Sequence, residues 1–228
     1  AHIHTLDLGD GNSLFAVFDG HGGEQVARFC EKHFPEILLA SEEYQAKNYE
    51  RALEESFVET DFMLVSDEGY DKLQEVVLEL KREARGAGAK LEMSDLRDLK
   101  SIPFAAGCTA NVCLVTQDSI YCANAGDSRS ILVSKSGKVT ELSQDHKPDD
   151  PGEFKRIKAG GGFVEDGRVQ GIIAVSRAIG DWEYKNPALL QQLESKKPLR
   201  KKSTTKKAMP EASPMPKSVG PYRQIDEA

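Results

Sequence analysis

The chain has 228 residues, of which 39% are hydrophobic and 29% charged, with a formal net charge of −7. That length suits one domain with a sizeable core, and the composition is that of an ordinary globular protein. No run approaches the roughly 18 apolar residues of a membrane span, and an acidic body makes nucleic acid an unexpected partner. The charge is uneven. Lys196, Lys197, Arg200, Lys201, Lys202, Lys206, Lys207 and Lys217 face Glu211 alone within 196–217, a local +7 that leaves −14 elsewhere. Four cysteines (Cys30, Cys108, Cys113, Cys122) form no Cys-x-x-Cys pair. They read as buried, reduced thiols of an intracellular protein, ahead of a disulfide set or a zinc site.

In chain order, His2–Thr5 and Ser13–Phe18 read as strands joined by a turn at Gly9-Asp10-Gly11-Asn12. A helix follows Asp19–Gly23, with Val26, Phe29, Cys30, Phe34, Ile37 and Leu38 at helical spacing and His33 as a half-buried packing residue beside them. A second helix fits Tyr49, Leu53, Phe57, Thr60 and Leu64. Leu73, Val76, Val77 and Leu80 predict a third, with its charges on a solvated face and a break at Gly86-Ala87-Gly88; a short helix is expected from Ser94. Thr109–Val115, Ile120–Ala125, Ser130–Ser134 and Lys138–Leu142 are strand-like. The short turns at Gln117-Asp118-Ser119 and Ser136-Gly137 imply antiparallel neighbours. Glu153–Ala159 reads as a helical turn ending at Gly160-Gly161-Gly162, and Gly171–Ala174 as a strand. Beyond Pro187 a short helix fits, and Ser195–Pro221 has the Lys-, Ser- and Pro-rich composition of a flexible segment.

The most informative stretch is Leu14-Phe15-Ala16-Val17-Phe18-Asp19-Gly20-His21-Gly22-Gly23. An apolar strand ends on a carboxylate, bends at glycine and presents an imidazole. An acid and a histidine at a strand tip can hold a hard metal ion and move a proton, and the glycines let a phosphate approach the backbone. Alone, the stretch reads equally well as a polar strand-to-helix turn. Further segments decide between the two: Ala125-Gly126-Asp127-Ser128-Arg129, Val175-Ser176-Arg177-Ala178-Ile179-Gly180-Asp181 and Gly107-Cys108-Thr109-Ala110. With Asp145-His146-Lys147-Pro148 and Gly161-Gly162-Phe163-Val164, the set resembles the signature segments of the metal-dependent protein serine/threonine phosphatases of type 2C, the PPM family. Order and approximate spacing both match, over roughly residues 1–187.

The resemblance implies an α+β fold of two stacked antiparallel β-sheets flanked by helices, an α-β-β-α sandwich incomplete at both ends. It implies a partial catalytic domain at 1–187 with a helical insertion at 70–100, and a flexible basic segment at 188–228. The implied activity is hydrolysis of phosphoserine and phosphothreonine on proteins, dependent on two or three Mg²⁺ or Mn²⁺ ions that activate water. Asp19 would bridge two ions, the Gly20 carbonyl would bind one of them, and Asp127 would hold a further ion. His21 would be the general acid. Thr109 and Asp181 would support the metal site by hydrogen bonding or orient a ligand, and His146 would stand on the substrate side. Ser128 is not expected to be a nucleophile. Arg129 and Arg177 read as structural ion-pair partners, Asp10 as a turn residue, and His2 and His4 as solvated strand positions. Phosphoproteins are the implied substrates, in the cytoplasm or the nucleus, without membrane association, and an acidic partner suits 196–217.

Members of that family carry an Arg and a Glu-Asp pair just ahead of the segment matched by Ala1-His2, and an Asp-Gly-x-x-Asp motif and an Asp-Asn pair downstream. None of these occurs here. The resemblance therefore implies an internal fragment with open sheet edges, weak metal binding and little activity by itself. Two other functions stay open: a non-catalytic relative serving as a binding or scaffold module, and a hydrolase of small phosphoesters on the same fold.

Overall fold

The computed structural model describes residues 1–86, 96, 98–185 and the backbone of 222–225. The short helices expected from Ser94 and beyond Pro187, and the basic stretch 196–217, lie outside the described residues.

Alternating burial builds the first hairpin. β1 (His2–Gly9) and β2 (Asn12–Val17) pair antiparallel, with Ile3, Leu14 and Ala16 buried. Their turn puts Asp10 and Gly11 at φ of 55° and 74°, the double-positive geometry whose twist matches that of paired strands. His2 and His4 are exposed and stack on each other at 5.5 Å. The chain passes through Phe18 and Asp19 into β3 (Gly20–His21), then into α1 (Gln25–Ala40), α2 (Glu42–Gln45), α3 (Tyr49–Met63) and α4 (Asp67–Arg85). All six expected stripe residues of α1 are buried.

Ser66 starts α4 by accepting the Gly69 amide at 3.0 Å, and Gly86 ends it at φ 94°. Its apolar side puts Leu73 and Val76 into the main core. Its charged side is only partly solvated, because Glu79 meets Lys32 of α1 at 2.7 Å and Glu83 meets Arg28 at 2.9 Å. A 3-10 turn at Leu99–Ser101 leads into α5 (Ile102–Ala105).

The β region follows: β4 (Gly107–Cys108), β5 (Ala110–Val115), β6 (Ile120–Ala125), β7 (Ile131–Val133) and β8 (Val139–Glu141). Then come α6 (Pro151–Ala159), β9 (Val164–Glu165), β10 (Arg168–Val169), β11 (Ile179–Gly180), a 3-10 turn at Trp182–Tyr184, and β12 (Tyr222–Ile225). Gly171–Ala174 does not form the expected strand. Gln170 and Gly171 both take positive φ (54° and 70°) and turn the chain back, leaving a single bridge from Ile173 to Val169.

One sheet has the order β1-β2-β5-β6-β12, antiparallel except for β12, which runs parallel to β6. A second has the order β11-β4-β3, and β7–β8 and β9–β10 are separate hairpins. The α+β class expected from sequence holds. Helices α1, α3 and α4 pack on one face of the larger sheet, around Leu14, Phe18, Phe34, Phe57, Val112 and Leu114. The Phe34 ring lies 6.1 Å from Phe18 and meets Phe57 edge-on at 5.6 Å. Burying each such side chain stabilises the fold by roughly 1.5–3 kcal/mol. The opposite face carries a smaller cluster of Ile120, Cys122 and Leu142, with Leu132 of β7 packed on it.

Two strands pass between the sheets. β2 leaves the larger sheet through Phe18-Asp19 to become β3, and β4 leaves the smaller one through Thr109 to become β5. The candidate site sits at that shared corner.

Candidate active site

Thr109 ties the corner together. Its amide donates to the Asp19 carbonyl at 2.9 Å, and its hydroxyl accepts the Asp19 amide at 3.2 Å. The same hydroxyl bonds the Ser128 hydroxyl at 2.7 Å, so one buried threonine joins the Asp19 turn to the Asp127-Ser128 loop. Because the Thr109 amide points at Asp19, alternation makes Gly20 and Cys108 a non-hydrogen-bonded pair. The Gly20 carbonyl then points away from β4, on the outer edge of the three-stranded sheet.

His21 follows on β3. Its Nε2 lies 2.6 Å from Asp181 Oδ2. This bond raises the imidazole pKa above its ordinary 6.5, burial pulls the other way, and the negative fields of Asp181, Asp19 and Asp127 add to the rise. The carboxylates expected at the site therefore converge electrically on the expected general acid.

Asp181 is placed by its neighbours. It sits in the left-handed region (φ 52°), its amide donating to the Ala106 carbonyl at 3.0 Å. Gly107, opposite, has no room for a side chain, since a Cβ there would stand 2.6 Å from the Asp181 carboxylate carbon. Asp61 of α3 anchors the segment from below. It accepts the Gly180 amide at 2.8 Å and the Lys185 ammonium at 2.5 Å, while the Trp182 indole donates to its main-chain carbonyl at 3.2 Å. Burial pushes the Asp61 carboxyl upward in pKa; Lys185 and the Gly180 amide oppose that.

Asp127 is half-buried and paired with the ammonium of Lys147. His146 is turned inward rather than toward the surface. It is buried, its Nδ1 accepts the Gly126 amide at 3.2 Å, and its own amide donates to the Gly126 carbonyl at 2.9 Å. It braces the turn that presents Asp127. Arg129 forks onto Asp145 at 2.6 and 2.9 Å. Arg177 binds Glu153 at 2.7 Å, and Arg156 reaches the same carboxylate at 2.7 Å. Burial works against that Glu153 charge, but the two guanidinium groups win and hold its pKa at about 2. Both arginines thus serve as ion-pair partners.

The sequence reading missed Asp61, Lys185 and the Lys147–Asp127 pair. Asp61 carried a signal: it lies one helical turn beyond Phe57, on the buried side of α3.

Among the described residues no three His, Cys, Asp or Glu side chains gather into a ready-made metal centre. The oxygen donors present are the carboxylates of Asp19 and Asp127 and the Gly20 carbonyl. Asp19 is exposed, and no donor among the described residues reaches its carboxylate. An all-oxygen set fits a hard divalent ion better than zinc. Three such oxygens fall short of the six ligands such an ion takes.

The Protein phosphatase 2C family pattern matches residues 2–215. A Paramecium tetraurelia protein named Probable protein phosphatase 2C 6 is 48% identical over 185 residues, which make up 81% of this chain and 56% of that one. Protein phosphatase 2C homolog 2 of Schizosaccharomyces pombe is 39% identical over 197 residues, 83% of this chain and 45% of that one. The chain thus spans about half the length of the curated relatives it matches. Among solved structures, a serine-threonine phosphatase 2C from Toxoplasma gondii aligns with a TM-score of 0.55 at 17% identity, over 81% of this chain and 63% of that one. That likeness speaks for the fold.

Proposed function

The chain belongs to the protein phosphatase 2C family, and from that premise we propose that it forms part of a metal-dependent hydrolase of phosphoserine and phosphothreonine on proteins. The observation that carries the reading is the 2.6 Å hydrogen bond between His21 and Asp181 beside the corner where Thr109 ties the Asp19 turn to the Asp127-Ser128 loop, a bond that raises the imidazole pKa against the pull of burial. A protonated histidine beside a departing alkoxide is what ester hydrolysis of a poor leaving group needs.

Asp19, the Gly20 carbonyl and Asp127 would hold Mg²⁺ or Mn²⁺. Bound there, the ions would offset phosphoryl charge and supply a nucleophile at neutral pH. His21 holds a proton on its ring and gives it up to the leaving oxygen. Asp181 orients the ring through Nε2 and is a positioning residue. Thr109 fixes the Asp19 turn against the Asp127 loop, and His146 braces that loop from beneath. We also assign residues 1–187 to one catalytic unit, since Leu73 and Val76 of the expected 70–100 insertion pack in the same core as Phe18.

The test is phosphate release by the full-length protein from a phosphoserine peptide and from an activated aryl phosphate, with Mn²⁺ and with EDTA. Hydrolysis of the peptide that stops in EDTA and in Asp19→Ala supports the reading. Turnover that persists in chelator overturns it. Release from the aryl phosphate alone favours a small-phosphoester hydrolase, and no release from either favours a binding module.

A further inference from the structure

The four cysteines form two spatial pairs of different character. Cys30 and Cys108 lie sulfur to sulfur at 3.7 Å, both fully buried. Cys113 and Cys122 face each other across β5 and β6. At the end of that hairpin the Thr116 amide donates to the Ser119 carbonyl at 2.8 Å. Counting back by alternation makes 113 and 122 a non-hydrogen-bonded pair. At such a pair the Cα atoms approach to about 4.5 Å and the side chains project from the same face. A disulfide accepts Cα separations of roughly 4.4–6.8 Å.

The two thiols differ in access. Cys122 is 2% exposed, in the cluster with Ile120 and Leu142. Cys113 is half-buried and lines an open groove of about 300 Å³ with Phe15, Val17, Asn111 and Ser130. Its thiol donates to the Ser130 hydroxyl at 3.3 Å. Hydrogen bonding with Cys122 brings the Cys113 pKa down to about 7, with burial opposing and Ser130 assisting. The thiolate is the nucleophile in thiol oxidation.

We propose that Cys113 and Cys122 are a modification site for hydrogen peroxide, with Cys113 the attacking sulfur and Cys122 the resolving one, closing to a cross-strand disulfide. The Cys113 thiolate attacks one peroxide oxygen. The O–O bond breaks, sulfur is oxidised to sulfenic acid, and the departing hydroxide takes a proton to become water. The Cys122 sulfur then attacks the Cys113 sulfur. The S–S bond forms, the S–OH bond breaks, and the Cys122 proton leaves with that hydroxide as a second water. In sum, two thiols and one peroxide give one disulfide and two waters.

Closure withdraws the Cys113 proton from Ser130, which itself donates to Asn111, whose amide holds the Ser128 carbonyl at 3.2 Å beside Asp127. Cys30 and Cys108 provide an internal control. Both sulfurs are fully buried, which shuts them off from peroxide in the folded protein, and burial, then the neighbouring Cys108, pushes the Cys30 thiol upward in pKa.

The proposal stands apart from the hydrolytic reading, and its test is covalent. Full-length protein is treated with hydrogen peroxide at neutral pH, alkylated without reductant and mapped by mass spectrometry. The expected product joins the Cys113 and Cys122 peptides, about 2 Da lighter than their reduced sum, and dithiothreitol reverses it. Cys30 and Cys108 are expected to alkylate only after unfolding. Cys122→Ser should leave a sulfenic acid on Cys113 that dimedone captures, whereas Cys113→Ser should leave Cys122 unmodified. Thermal melting of each variant checks that it is folded. Free thiols at both positions after oxidation of the wild-type protein, or a disulfide joining Cys30 to Cys108 instead, would overturn the proposal.

Discussion

The His21 imidazole and the Asp181 carboxylate, 160 residues apart in sequence, meet at 2.6 Å. Neither residue's local pattern contains the other. The pairing exists because β3 and β11 both border β4, which sets the end of one strand opposite the end of the other.

The first prediction concerns protonation of His21. Asp181→Asn removes the hydrogen-bonded carboxylate and should move the imidazole pKa down from its raised value, as read by NMR titration of the ring protons. The linkage has a definite sign. A histidine whose folded pKa is raised adds stability that is complete below its unfolded pKa of about 6.5 and is lost as pH rises through the folded pKa. Wild-type stability should therefore decline across that window, and Asp181→Asn should flatten the decline. An unchanged His21 titration in the variant would refute the pairing.

Gly107 offers a steric route to the same pair. A methyl group there would stand 2.6 Å from the Asp181 carboxylate carbon. Gly107→Ala should displace Asp181, release His21 and cost about 1–3 kcal/mol, the usual range for overpacking. Urea unfolding measures the cost and the His21 titration reports the release. A variant with wild-type values in both would mean that the corner is looser than the structure indicates.

Asp61 should behave as a buried anchor. Asp61→Ala strands the Gly180 amide and leaves the Lys185 ammonium on the Ala178 carbonyl without its counter-charge, and breaking a buried pair from one side costs on the order of 3–5 kcal/mol. Replacing both partners, with Asp61→Leu and Lys185→Met together, should recover much of that loss. A double-mutant cycle decides: purely additive losses would deny the coupling.

Much of the fold was legible because its elements repeat locally. Val26 to Leu38 keep a helical period and Ala110 to Val115 alternate, so α1 and β5 follow from the sequence. The motif residues Asp19, Thr109 and Asp127 were also legible, and the chain does gather them at one corner. What stayed hidden depends on register between distant strands or on packing between elements. Nothing near Glu79 or Glu83 indicates that they meet Lys32 and Arg28 across a helix interface. Ile172-Ile173 has strand composition, but the positive φ of Gln170 and Gly171 overrides it. His146 shows the same limit, since its polar loop gave no hint that the ring folds under Gly126.

His33 should make the fold sensitive to acid. It is 6% exposed, its ring packs tilted against Phe29 with centroids 4.8 Å apart, and neither ring nitrogen finds a partner among the described residues. Burial lowers its pKa to about 4, helped by Lys72 and Lys32 and opposed by Glu79. With the folded pKa depressed, its contribution is present above pH 6.5 and lost as pH falls toward 4, on the order of 1–3 kcal/mol in all. His33→Phe should remove that part of the acid slope in denaturant titrations run from pH 7 to pH 4. A slope equal to wild type would place the acid sensitivity elsewhere.

Lys147 should compete with metal for Asp127. The ammonium sits on one Asp127 oxygen, with the pair 40% and 29% exposed, so a cation that takes the carboxylate must displace it. Partly exposed ion pairs are worth about 0.2–1 kcal/mol, which corresponds to a gain of roughly 1.4- to 5-fold in affinity once the lysine is gone. Lys147→Met should therefore tighten Mn²⁺ binding by about that factor in isothermal titration, a readout that needs no turnover. Asp127→Asn should weaken binding in the same experiment, and Asp19→Ala should weaken it further because Asp19 offers a carboxylate with no competing donor among the described residues. If Lys147→Met binds Mn²⁺ no better than wild type while Asp127→Asn binds it worse, the lysine shares the site with the ion rather than guarding it. If neither substitution changes binding, Asp127 is not a ligand.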